Sequence, residues 1–306
     1  MFKFVIRRLL ITVPMVIIVV SLTWGLIRLA PGNFYSGEKR IPAAIEKNIR
    51  EKYGLDKPWY VQYGKMMGSV LRGDFGSSLR YEGQAVNQIL LRTLPVSATL
   101  GLLAYLISLV VGILAGTLAA LKQNSRSDYA SMALAMLGLS IPNFVLGPLL
   151  VLVFSLSLYW LPPARWNGFP SWNLVLPVLT LSGVYMAYIA RLTRSGMLEV
   201  LRADYIRTAR AKGLSEMQVV FRHALRGGLL PVVSFTGPAL AFLISGTVVV
   251  ERIYALPGLG NYFINANLNR DEPLIIGIVA FISIAILLFN LLVDVAYAYI
   301  DPRIRY

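Results

Sequence analysis

The chain contains no cysteine, which excludes disulfides, iron–sulfur clusters and thiol chemistry. It has a single histidine, His223, so any site that needs two imidazoles is excluded as well. Charge is scarce: 14% of the 306 residues are charged and 57% are hydrophobic, with a mean hydropathy of +0.65. Soluble domains carry about 25% charge, and 29 basic with 15 acidic residues are too few to coat a water-soluble body of this length. No Walker A pattern occurs. The sole Gly-Lys pair, Gly64-Lys65, is followed by Met66 rather than a hydroxyl, so P-loop ATP hydrolysis is excluded on this chain. What remains is an all-α polytopic membrane protein. Its net charge of +14 suits either nucleic acid or the basic inner loops of a membrane protein, and the distribution of bases decides between them.

Six apolar stretches approach the roughly 20 residues that a bilayer core requires: Leu9–Leu29, Val96–Leu121, Ser131–Leu158, Leu174–Ala190, Leu229–Val250 and Leu274–Tyr297. The first exceeds a signal-peptide core and lacks a small-residue cleavage site, so it reads as a retained helix. With the N-terminus inside, the inner segments hold 15 bases and the short outer loops only Arg165, Arg252 and Arg270. The positive-inside rule therefore places both termini in the cytoplasm, and nucleic acid is set aside. The segment 31–95 carries ten bases against six acids. Its length, above about 60 residues, allows translocation regardless of charge. Within it Ile41–Tyr53 reads as an amphipathic helix, serving either as a docking surface or as a plain external cap. Three segments follow: an arm with the first span (1–30), an external region with short helices (31–95) and a core of five spans (96–306).

The middles of the spans carry no charge, which argues against a proton pump or a membrane-embedded enzyme. Gly112 and Gly116 form a small-xxx-small pair suited to close helix approach. Pro142 with Asn143, Pro177 and Pro238 interrupt three spans. Tyr105, Ser140, Asn143, Tyr185 and Tyr188 are polar groups that either line a path or bond between helices.

The most patterned stretch is Arg191–Gly228, with eight bases and three acids. Leu198, Leu201, Tyr205 and Ala209 recur at helical spacing. Gly213 breaks that helix, and Ser215 three residues before Gln218 is a capping-box spacing that starts another. Met217, Val220, Phe221 and Ala224 fall on one face of this second helix. The reading is helix, glycine turn, helix at the cytoplasmic face: an amphipathic knob fit for anionic lipid or a groove on a soluble partner.

Ile206-Arg207-Thr208-Ala209-Arg210-Ala211-Lys212-Gly213, nine residues, then His223-Ala224-Leu225-Arg226 resembles the cytoplasmic EAA loop of ABC importer permeases, in the form of the peptide and nickel branch. Arg207-Thr208-Ala209 stands in place of the general first triplet and His223–Arg226 in place of the final quartet, while Gly213 and the spacing hold. The resemblance continues through Arg28–Gly32, Gly73–Gly76, Ala120–Asn124, Glu251–Tyr254, Pro257–Gly260 and Asp301–Tyr306, and is nearest to the oligopeptide-transporting members.

That resemblance implies a type I importer permease bundle in a bacterial inner membrane, with no cofactor on this chain. It implies a second, homologous permease, two cytoplasmic ATPases that bind ATP and Mg, and an external peptide-binding protein. It assigns ATPase contact to Arg207, Thr208, Ala209, Lys212, Gly213, Leu214, Ser215, Val220, His223, Ala224, Leu225 and Arg226. It also places Glu251, Tyr254, Pro257, Gly258 and Gly260 at an external mouth, with Tyr254 among exposed aromatics. A dipeptide or nickel permease, and a self-sufficient secondary transporter, are the alternatives.

Overall fold

The computed structural model describes residues 2–30, 54, 56–244 and 248–300. The expected helix Ile41–Tyr53 and the ending Asp301–Tyr306 lie outside them. The described elements are helical: α1 (Phe2–Leu29), α2 (Trp59–Leu71), α3 (Val86–Leu121), α4 (Arg126–Ser140) and α5 (Asn143–Leu150), the last passing into a π-helical stretch (Val151–Ser157). A 3-10 turn (Trp172–Leu174) then leads into α6 (Val175–Leu201), followed by α7 (Asp204–Ala211) and α8 (Glu216–Gln218). A second π-helical stretch (Val219–Ala224) joins α8 to α9 (Leu225–Gly228). The chain ends with α10 (Leu230–Ile244), α11 (Val248–Ile253), α12 (Leu259–Leu268) and α13 (Glu272–Ile300). Among the described residues the one β feature is the isolated bridge Ser77–Ala85.

Among the described residues five helical segments are long and apolar enough to cross a membrane: Ile6–Leu29, Val86–Leu121, Trp172–Leu201, Leu230–Ile253 and Glu272–Val295. The sixth expected span is a broken pair, Arg126–Ser140 with Asn143–Ser157, bent by 103°. The cause is local. Proline disfavours the helical region for the residue before it, and Ile141 is extended at φ −97°, ψ 115°. Pro142, at φ −59°, ψ 143°, then starts the next helix without an N–H to satisfy.

The chain divides into two compact units, Phe2–Pro95 with Gly258–Leu287, and Val96–Pro257 with Leu288–Tyr306. In the first, Val16, Val20 and Trp24 of α1 pack against Met67 of α2 and against Ile276 and Ala280 of α13. The Trp24 and Tyr63 rings meet edge-on at 5.4 Å, and Ser21 Oγ lies 2.7 Å from Tyr63 Oη. Asp271, wholly buried, organises the turn before α13. Its carboxylate accepts the backbone N–H of Leu79 at 3.0 Å, Arg80 at 3.1 Å and Leu274 at 3.3 Å, together with the Ser78 hydroxyl. A charge this enclosed is tolerated because its oxygens are all satisfied.

In the second unit α6 is the central helix. Of the most apolar part of its span 61% is buried, against 33% for α3 and 40% for the span that starts with α10. Leu176, Leu181 and Ile189 of α6 share a core with Leu100 and Tyr105 of α3 and Leu243 of α10. Glycine permits this proximity. A Cβ at Gly116 would stand 2.6 Å from Thr193 Cβ and closer still to the Ala190 carbonyl oxygen, so the Gly112/Gly116 face of α3 packs directly on the α6 backbone. Gly196 of α6 meets the Gly228 carbonyl of α9 in the same way.

Candidate functional site

The inner loop after α6 folds as two short helices on a shared apolar seam. The helix expected from Leu198 to Ala209 is in fact two. α6 continues to Leu201, the chain turns through an extended Ala203, and Asp204 opens α7, an acid in a first helical turn. Ile206 and Ala209 of α7 are buried with Met197, Val219, Val220 and Ala224, and Leu198, Leu214 and Leu225 pack around them.

Gly213 makes the turn between the helices. Its φ is +79°, the left-handed region, where a β-carbon costs about 1–2 kcal/mol. The Gly213 N–H donates to Arg210 O at 2.9 Å, and the Leu214 N–H to Ala209 O at 3.4 Å. This pair of bonds is a Schellman cap that ends α7. Ser215 then opens α8 through the expected capping box. Its Oγ accepts the Gln218 N–H at 3.4 Å, and its own N–H donates to Gln218 Oε1 at 3.1 Å. Arg210 clamps across the turn, Nε to Glu216 Oε1 at 2.8 Å and Nη2 to Oε2 at 3.2 Å. This fork holds the Glu216 carboxyl below the ordinary carboxylate range and raises the Arg210 guanidinium.

The π-helical stretch changes the face that the sequence pattern leads one to expect. Its i→i+5 bonds widen the turn, so Val219, Val220 and Ala224 are buried together while Met217 and Phe221 turn outward, 72% and 66% exposed. Of the residues expected to contact an ATPase, Ala209, Val220 and Ala224 are buried and Leu214, His223 and Leu225 half-buried. Arg207, Thr208, Lys212, Gly213, Ser215 and Arg226 are exposed. The surface is thus a knob with two bare apolar side chains among exposed bases, carried on a buried seam that holds its shape.

A strut that the spacing did not reveal lies beside it. Arg194 of α6 donates from Nε to Asp128 Oδ1 at 2.8 Å and from Nη2 to Oδ2 at 2.7 Å, and the Asn124 N–H adds a third bond at 2.9 Å. The pair ties the first turn of α4 to α6. One signal was present in the sequence: Asp128 is the sole acid between Glu82 and Glu199.

Three of the five expected path residues come together. Tyr105 of α3 is buried with its Oη 2.5 Å from Thr236 Oγ1 of α10. The Tyr188 and Tyr185 rings lie 5.6 and 6.3 Å from Phe235, and the Arg191 guanidinium sits over Tyr188 at 5.2 Å. Ser140 and Asn143 stand apart at the break between α4 and α5. Ser140 bonds back to Met136 O, and the Asn143 side-chain oxygen is enclosed without a hydrogen-bond partner.

Two of the expected mouth residues are buried struts rather than exposed groups. Glu251, 1% exposed, accepts from Ser97 Oγ of α3 at 2.7 Å. Tyr254, 2% exposed, has its Oη 2.6 Å from Thr180 Oγ1 of α6 and donates to Gly147 O of α5 at 3.2 Å. Pro257 is exposed, whereas Gly258 and Gly260, at the start of α12, are buried and belong to the other unit. Among the described residues no three His, Asp or Glu side chains cluster to hold a metal.

Residues 112–306 match the family of binding-protein-dependent transport system inner membrane components, and residues 1–101 match the N-terminal region of the same kind of membrane component. The oligopeptide transport system permease protein OppB of Salmonella typhimurium is 46% identical over 306 residues, covering 100% of both chains. The dipeptide transport system permease protein DppB of Bacillus subtilis is 41% identical over 305 residues, 100% of this chain and 98% of that one. Among solved structures, the MetNI methionine ABC transporter in an inward-facing conformation aligns with a TM-score of 0.56 at 17% identity, over 70% of this chain and 97% of that chain, a likeness of fold. With a family match over most of its length and close relatives along all of it, this chain belongs to the binding-protein-dependent transport system inner membrane components.

Proposed function

We propose that the chain is the membrane-spanning permease subunit of an ATP-driven ABC importer, forming half of a path for oligopeptides across the bacterial cytoplasmic membrane. A second, homologous permease supplies the other half. Two cytoplasmic ATPases bind ATP with Mg, and an external peptide-binding protein delivers the ligand. Both termini lie in the cytoplasm, as the 15 inner bases favour.

The observation that carries this reading is the knob from α7 to α9. Met217 and Phe221 stand 72% and 66% exposed on a loop whose seam of Ile206, Ala209, Val219, Val220 and Ala224 is buried, and the same loop carries the exposed bases Arg207, Lys212 and Arg222. Bare apolar side chains on a base-rich loop fit a groove with an apolar floor and an acidic rim on a soluble partner. The seam makes the knob rigid, and the Gly196–Gly228 contact couples it to α6. Closure of the ATPases would move the knob with α6, and their tighter binding of nucleotide in the closed form would bias the transporter between its two states.

Oligopeptides are favoured over dipeptides by the relatives, at 46% against 41% identity. Reconstitution tests both levels. Alone, the chain should move no peptide under any ion gradient. With its partner subunits and the binding protein it should import peptides of several residues in an ATP-dependent way. Gradient-driven uptake by the lone chain would overturn the importer reading, and preference for dipeptides in the full system would overturn the oligopeptide assignment.

A further inference from the structure

The loop before α6 takes no part in the function described so far, yet two clefts meet there. One, of about 470 Å³, is walled by Leu103 and Ile107 of α3 and by Val178 and Leu179 of α6. The other, of about 610 Å³, opens toward Trp160 and Asn173. Pro170, Ser171 and Trp172 line both. An apolar cleft between two spans is therefore joined to a more polar one at the end of the span.

Three observations indicate what fills them. First, the apolar cleft adjoins a stripe on α3, Leu102, Leu106, Val110, Leu114 and Leu118, 43–57% exposed, whose repeat of four residues extends one face of the helix along the acyl region of a bilayer. Second, Tyr159, Trp160, Phe169 and Trp172 are 65–84% exposed, the aromatic belt of a membrane–water boundary. Third, no acid lines the polar cleft, and in the segment between Leu158 and Leu174 the sole charge is Arg165, so no fixed negative charge there opposes an anionic head group.

We propose that this pair of clefts is a phospholipid site: one acyl chain lies between α3 and α6, and the phosphate head rests beside Ser171 and Asn173, on a segment whose one charge is Arg165. A lipid so held would fill the groove beside the tight α3–α6 contact at Gly112 and Gly116.

The test uses the complete transporter in proteoliposomes containing phosphatidylglycerol with a photoactivatable diazirine on its acyl chain, with adducts mapped by peptide mass spectrometry. The expected result is adduct yield at Ile107 and Val178 several times that at Leu106 and Val110 on the exposed stripe. Leu179→Trp, at a half-exposed position, should fill the cleft and lower the Ile107 adducts several-fold while leaving Leu106 unchanged. Arg165→Glu, on the surface, should lower the same adducts through the head group. Equal yields along α3, which mean ordinary boundary lipid, would overturn the proposal. So would absent adducts at Ile107 with Trp172→Cys cross-linking to the second permease, because the cleft would then be a protein interface.

Discussion

Replacing Gly213 isolates what the turn between α7 and α8 requires if it is to transmit the proposed coupling, because its two demands separate cleanly. Nothing lies within 4 Å of a Cβ built at this position, so a side chain meets no obstacle within the chain. The demand is the backbone: φ is +79°. For alanine the left-handed region costs about 1–2 kcal/mol, which lowers the population of the native turn about 5- to 30-fold. Asparagine tolerates that region far better. Proline is barred from it, being fixed near φ −65°, and it also removes the 2.9 Å bond from the Gly213 N–H to Arg210 O. The expected order of damage is therefore Asn, then Ala, then Pro. The assay is the ratio of peptide imported to ATP hydrolysed by the reconstituted transporter, with membrane insertion measured alongside. Gly213→Pro should insert normally and hydrolyse ATP without import, Ala should be partly uncoupled, and Asn close to the parent. Coupled import by the proline variant would refute the reasoning. So would an asparagine variant as damaged as proline, since it would shift the requirement from backbone to steric exclusion by the partner.

Three further outcomes follow from the same geometry. Asp128→Ala strands the partly buried Arg194 guanidinium and the Asn124 N–H, and should cost about 3 kcal/mol, at the low end for a broken buried pair because Arg194 is 28% exposed; thermal unfolding in detergent reads this. Exchanging the two charges should recover only part of it, since an arginine at 128 cannot accept the Asn124 N–H. Asp271→Asn leaves one acceptor oxygen where three backbone N–H groups and a hydroxyl converge, and should cost about 3 kcal/mol, seen as faster proteolysis around residues 76–82 and 266–274. The clamp between Arg210 and Glu216 gives a pH dependence. The Glu216 carboxyl is lowered by its bond to Arg210, so the stabilisation is fully present above the ordinary carboxylate value and is lost as pH falls through the lowered one. Amide protection factors in 204–218, exchange rates divided into the intrinsic rate at each pH, should therefore be flat near neutrality and fall at acid pH, and Glu216→Gln should abolish the fall.

Much of the architecture was legible because it rests on local chemistry. Pro142 announces the break in the third span, since a proline biases Ile141 away from the helical region, whereas Pro238, expected to interrupt its span as well, lies inside a continuous helix as Pro14 and Pro95 do. Gly213 and the Ser215–Gln218 spacing announce the turn and the restart, and both caps form as their residue types require. Gly112 and Gly116 announce a close approach that α6 provides. What stayed hidden depends on distance or on register. The Asp128–Arg194 strut joins positions 66 apart, and periodicity carries no information about which base a lone acid will find. The widened turn at Val219–Ala224 moves Met217 and Phe221 from the buried side to the surface, an effect invisible to a pattern read at a fixed 3.6 residues per turn. Tyr254 read as an exposed aromatic, yet its hydroxyl is engaged by Thr180 and Gly147, because a loop beside a bundle folds against the nearest helices.

The central claim is that the α7–α9 knob seats on a separate ATPase. The chain lacks cysteine, so single substitutions can be cross-linked without a native background once the partner subunits are cysteine-free apart from the ATPase groove. Met217→Cys and Phe221→Cys should cross-link to the ATPase subunit in the assembled transporter, with the yield changing between nucleotide-free and ATP-bound states. The buried control Val220→Cys should not. Absence of any adduct to the ATPase from both exposed positions, or their labelling by a membrane-impermeant thiol reagent from the outer side, would contradict the account.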